Sequence, residues 1–225
     1  AIQQDITVVA GGPDTVIDLA DAMEIMDINK NVTSSNTYSQ TQIVVITETL
    51  NLRTGTTTTI LGQLQVNDGV VLTVESGATL VIDSETAKMI VDGVIEVEEG
   101  AKVLVRDADD VTVSGEIVSN GTIDINSTVT VKNGGSIVIE DADESSIVVL
   151  QGLTVENGGA LTVMGQATVA DITNKGTVTL DRAVLAGDVK ISQAADGAVV
   201  DIRSFTAAAD GYDLTVTDAG LVFKA

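Results

Sequence analysis

Two acidic runs hold the densest chemistry in the chain, Arg106-Asp107-Ala108-Asp109-Asp110 and Glu140-Asp141-Ala142-Asp143-Glu144. Each follows a stretch of alternating apolar residues, so both are expected at equivalent corners of a repeat. Hard carboxylate oxygens on a flexible loop suit calcium, which makes Asp107, Asp109, Asp110, Asp141, Asp143 and Glu144 the candidate Ca2+ ligands. The runs match neither an EF-hand loop nor the Gly-Gly-x-Gly-x-Asp calcium repeat, and solvated acidic corners are the simpler reading. Pairs such as Asp107 and Asp109 also have the groups needed for acid and base. With 33 acidic residues, however, chance pairs are unavoidable.

The remaining inventory is narrow. Histidine and cysteine are both absent, which removes imidazole and thiol chemistry, zinc and haem sites, and disulfides. Tyr38, Tyr212, Phe205 and Phe223 are the whole aromatic set, too few to build sugar-stacking platforms. The Gly-Gly pairs open strands rather than helices, so no phosphate loop is present. An enzyme is not expected, nor a resident cofactor beyond calcium. The net charge of −22 repels nucleic acid and anionic membrane surfaces. The longest aliphatic runs, Ile43 to Ile46 and Ile147 to Leu150, are far too short for membrane insertion. Asn31, Asn120 and Asn126 begin Asn-x-Ser/Thr triplets, the acceptor pattern for glycans.

The elements that must position these residues are strands. Asn67 to Glu75 and Ser76 to Asp83 form two phrases that return as Asp92 to Glu98 and Glu99 to Arg106. In an extended chain Ala78, Leu80 and Ile82 share one face, and Ala101, Val103 and Val105 match them one period later. Further copies begin at Asn133, Asn157, Asn174, Asp196 and Ala219. A period of about 20–24 residues, with two Gly- or Asn-led turns, predicts a parallel β-solenoid, an all-β fold of stacked coils. An antiparallel sandwich is the alternative, since its turn spacing is also met.

The solenoid is expected over residues 63–225, preceded by a small mixed cap or arm over 1–62. In that region Asp5 to Val8 reads as a strand, and Val16, Leu19, Ala20, Met23 and Met26 recur at the near-helical spacing of a short helix, although Met23 to Ile28 also alternates well enough for a strand. Residues 29–42 are polar and without period, which suggests a loop or arm. The run Thr54-Gly55-Thr56-Thr57-Thr58-Thr59 is a threonine cluster. A water-ordering face needs such hydroxyls on coil after coil.

Both ends are expected to be open strand edges. Ile6 and Val8 mark one and Leu221 and Phe223 the other, each a template for another chain. A repeat open at both ends can stack head to tail into a filament or ring. The Gly-led Val/Ile/Thr coils and acidic, His-free composition resemble secreted β-solenoid surface proteins, among them the amyloid-like hoop and sheath proteins of methanogenic archaea. The resemblance covers about residues 63–225. It is similar in style to bactofilins as well, which polymerise end to end, although the first 62 residues depart from them. The family implies a protective extracellular polymer whose partners are copies of itself, and Ala1 in place of Met fits a processed secretory precursor. The rival is an adhesin or a calcium-dependent surface-layer module.

Overall fold

Valine, isoleucine and threonine alternate through most of the chain, and short glycine-punctuated runs of this kind can bury one face of each strand only by stacking on similar runs. The computed structural model describes residues 15–21, 27, 29–143, 145–169, 171–186, 188–207, 213–217 and 220–224. These form three sheets, called here faces A, B and C, which the chain visits in turn. One circuit takes Gln63–Val66 on face A, Val71–Val74 on face B and Thr79–Asp83 on face C. The next takes Lys88–Val91, Val94–Val97 and Lys102–Arg106. Each lies parallel to its counterpart, Lys88 opposite Gln63, Val94 opposite Val71 and Lys102 opposite Thr79. Faces B and C contain nine strands each and face A eleven. Parallel pairing between circuits rules out the hairpin sandwich.

Register puts like on like. Leu72, Ile95, Ile117 and Ile137 stack inside face B, and Leu80, Val103, Ile123 and Ile147 inside face C, all essentially inaccessible. Each such side chain contributes about 1.5–3 kcal/mol on burial. The inward set expected from the repeat, Ala78, Leu80 and Ile82, is buried as the alternation requires.

Several expectations need correction. Each circuit has three strands rather than two, and its length varies from 17 residues between Ala160 and Thr177 to 27 between Thr15 and Gln42. The expected helix is instead the strand Thr15–Asp18 and a single 3-10 turn, Leu19–Asp21. Pairing with Gln42–Ile46 holds Thr15–Asp18 extended, and Asp18 Oδ1 accepts from Ala20 N at 3.0 Å where the strand ends. Met23, Met26, Ile6 and Val8 lie outside the described residues. Within the polar stretch 29–42, Asn31–Val32 and Asn36–Tyr38 are the first strands of faces B and C. The ladders also run through residue 62, since Gln42–Ile46 pairs with Gln63–Val66. Polar residues enter the stack because the inward positions, Val32 and Tyr38, are still apolar and buried.

Candidate assembly ends and acidic corners

The N-terminal end carries short-range polar chemistry. Asp27 sits at the entry to face B, and its carboxylate accepts from Asn29 N at 2.8 Å, Asn31 N at 3.1 Å and Asn31 Nδ2 at 2.8 Å. Its own N–H donates to Asn31 O at 3.0 Å. The hydrogen bond from Asn31 holds the Asp27 carboxyl below the ordinary carboxylate value. Asn51 Nδ2 continues the amide ladder to Asn31 Oδ1 at 2.9 Å, and Lys30 Nζ donates to Ala20 O at 3.3 Å. Leu19, Ala20 and Val32 are buried.

The C-terminal end is built differently. Leu221 and Phe223 were expected on an open edge. Their strand, Gly220–Lys224, instead lies antiparallel between Val189–Gln193 and Asp213–Thr217. Face A therefore reverses direction after nine parallel strands. Faces B and C simply stop, at Val199–Ile202 and Phe205–Ala207, with no further strand among the described residues.

The acidic runs occupy different corners. Asp107 to Asp109 join face C to face A, whereas Asp141 to Asp143 join face B to face C. Asp107 has φ 52° and its Oδ1 accepts from Asn126 Nδ2 at 2.9 Å. Asp109 faces Lys88 Nζ at 3.5 Å, and Asp110 Oδ2 accepts from Thr112 Oγ1 at 2.8 Å. Asp141 is paired with the Arg182 guanidinium, Asp143 is exposed, and Glu144 lies outside the described residues. Among the described residues no three carboxylates converge as a metal site would require.

The three glycan triplets also serve the ladders. Asn31 Nδ2 is bonded to Asp27, Asn120 Nδ2 to Glu140 and Asn126 Nδ2 to Asp107. Two open recesses are lined by carboxylates and glycine, one of about 410 Å³ at Ser76, Glu98, Glu99 and Gly100 and one of about 330 Å³ that includes Asp68, Asp92, Gly93 and Glu116.

One feature escaped the sequence reading. On face A the outward column runs Thr112, Thr130, Thr154, Thr173, Ser192, a hydroxyl on five successive strands. The sequence steps are 18, 24, 19 and 19 residues, so no fixed period reveals the column. The cluster at 54–59 contributes nothing to it: Thr57 and Thr59 face outward on face C and Thr58 points into the core. Comparison of the chain with known protein families, curated proteins and solved structures returns no match.

Proposed function

We propose that the chain is a non-enzymatic structural protein of the cell exterior that assembles with copies of itself, through strand edges, into an extracellular polymer. The observation that carries this reading is the strand Val199–Ile202, which ends the parallel ladder of face B with no further strand beside it among the described residues. Such an edge presents backbone donors and acceptors to any strand of matching register. The side faces support the same reading in another way. Their excess of carboxylates keeps copies apart laterally and leaves the axis as the direction of least repulsion. Extracellular placement rests on the resemblance of the coils to secreted surface solenoids. Electron microscopy of the purified chain, with calcium and with a chelator, tests the proposal. Assemblies with a repeat near roughly 4.8 Å along the axis are expected, whereas single particles at every concentration would refute it.

A second reading follows from the hydroxyl file on face A. Hydroxyls spaced by the strand separation, roughly 4.8 Å, can order a line of water. The neighbouring outward column carries Asp110, Asp171 and Lys190, which interrupt a flat hydroxyl surface. Thermal hysteresis of the freezing point tests this reading, and its absence at high protein concentration removes it.

A further inference from the structure

Three Asn-Gly dipeptides occur in the chain, at Asn120-Gly121, Asn133-Gly134 and Asn157-Gly158. In such a pair the backbone nitrogen of the glycine can attack the asparagine carboxamide carbon and close a five-membered ring, and glycine places no side chain in the way. The reaction asks two things of the fold. The nitrogen must not already be held in a hydrogen bond, and the backbone must be able to swing it onto the carboxamide. The three pairs are alike in sequence, but the solenoid holds them differently.

Asn120-Gly121 is held on both sides. Asn120 is half-buried and its Nδ2 donates to Glu140 Oε2 at 2.5 Å, while Gly121 is buried and its N donates to Ser119 Oγ at 3.2 Å. Asn133-Gly134 and Asn157-Gly158 make a closer comparison, because they occupy the same corner between faces A and B in consecutive circuits. Both pairs are exposed, and both glycines have positive φ, 83° at Gly134 and 81° at Gly158. Both corners are closed by the same bond, Gly135 N to Lys132 O at 3.0 Å and Gly159 N to Glu156 O at 2.9 Å. They differ at one atom. Gly134 N donates to Gly158 O at 3.0 Å, whereas Gly158 N has no acceptor among the described residues. The cause is the length of the next corner. Residues 132–135 join Val131 to Ser136 and residues 156–159 join Val155 to Ala160, but only Lys175 and Gly176 join Asn174 to Thr177. That shorter corner offers Gly158 no carbonyl of the kind that Gly158 offers Gly134. The Asn157 carboxamide likewise makes no hydrogen bond among the described residues, while Asn133 Oδ1 lies over the Gly158 backbone where a Cβ would stand.

We propose that Asn157 is the position at which the folded chain deamidates first. Gly158 N loses its proton and bonds to Asn157 Cγ, the Cγ–Nδ2 bond breaks, and ammonia leaves with that proton, so a succinimide joins residues 157 and 158. Water then opens the ring at one of its two carbonyls. Cleavage between the nitrogen and Cγ leaves aspartate. Cleavage between the nitrogen and the Asn157 main-chain carbonyl carbon leaves isoaspartate, in which the chain runs through the former side chain. The only co-reactant is water. Either product adds a negative charge to a corner that already holds Glu156, whose carboxylate is paired with Lys175 Nζ at 3.3 Å. Isoaspartate also lengthens the corner that the Gly159 N to Glu156 O bond closes.

The test incubates the full chain in mildly alkaline buffer, folded and in urea, and follows the three pairs by peptide mapping, with isoaspartate identified by electron-transfer fragmentation. In the folded chain, conversion at Asn157 should outpace that at Asn133 and at Asn120 at least roughly tenfold, because only there are both reacting groups free to meet. In urea the three pairs should convert at comparable rates, since the ladder that distinguishes them is gone. Asn157→Gln, whose longer side chain would have to close a six-membered ring, should remove the fast conversion and leave thermal unfolding unchanged. Equal rates at Asn157 and Asn133 in the folded chain, an absence of conversion at both included, would overturn the proposal. So would a lead of Asn157 over the other two that persists in urea, because the fold would then not be its cause.

Discussion

Leu221 lies opposite Ile191 in antiparallel register, whereas Ile191 lies opposite Ile172 in parallel register on its other side. The ladder of face A thus changes direction at one strand, and a parallel strand from another copy finds no continuation there. Ending the chain at Ala207 would uncover Val189–Gln193 as a parallel edge. The shortened chain should form larger assemblies than the full chain, read as a rise in mass by light scattering; a mass no higher than that of the full chain would contradict the capping role.

Stacking of circuits leaves some corners no room for a side chain. A Cβ at Gly115 would stand 2.0 Å from the backbone oxygen of Gly93, while one at Gly69, with φ +78°, meets open space. Gly69→Ala should cost about 1–2 kcal/mol from its left-handed backbone alone. Gly115→Ala must shift a whole circuit and should cost more, with overpacking adding about 1–3 kcal/mol. Denaturant unfolding of the two variants checks the order.

Thr58 Oγ1 is buried in the core without a hydrogen-bond partner. Its position on face C is occupied by Leu80 one circuit on. Thr58→Val removes the unsatisfied group at nearly constant shape and should raise stability by about 1–3 kcal/mol. An unchanged or lowered unfolding midpoint would show that the hydroxyl has a partner in solution.

Two groups give the stability a pH dependence. Burial pushes the Tyr38 phenol up from 10.0 to about 12. The neutral form is favoured in the fold, so this contribution is complete below pH 10 and is lost as pH rises toward 12. The Asp27 carboxyl is held below 3.8, so its contribution is present above that value and is lost as pH falls through the folded value. Tyr38→Phe should flatten the alkaline limb of a stability profile, and Asp27→Asn the acid limb.

Particular residues explain how far the sequence carried. The turns at Asn67-Asp68-Gly69 and Ser76-Gly77 announced themselves because a positive φ selects glycine there, and the strands that follow them are those of faces B and C. Face A was invisible as a separate side. Several of its entry corners, among them Ser84 to Ala87 and Ser127 to Thr128, turn without glycine. They are tied by side chains instead, as where Ser127 Oγ donates to Ala108 O at 2.7 Å. The copies beginning at Asn133, Asn157, Asn174 and Asp196 looked like the second phrase but lie on face B, since both corners use the same turn chemistry. The amide ladder from Asp27 through Asn31 to Asn51 was likewise hidden. Polarity read as loop because nothing local says that an Asn will meet another Asn one circuit later.

The most direct test of end-to-end association through the last circuit is amide hydrogen exchange at Val200 and Ile202, compared between dilute and concentrated solution. Their N–H groups should exchange freely when dilute and become protected when concentrated, while Asn31 N, already bonded to Asp27, stays protected in both. Equal exchange at Val200 and Ile202 across the concentration range would contradict association through this end.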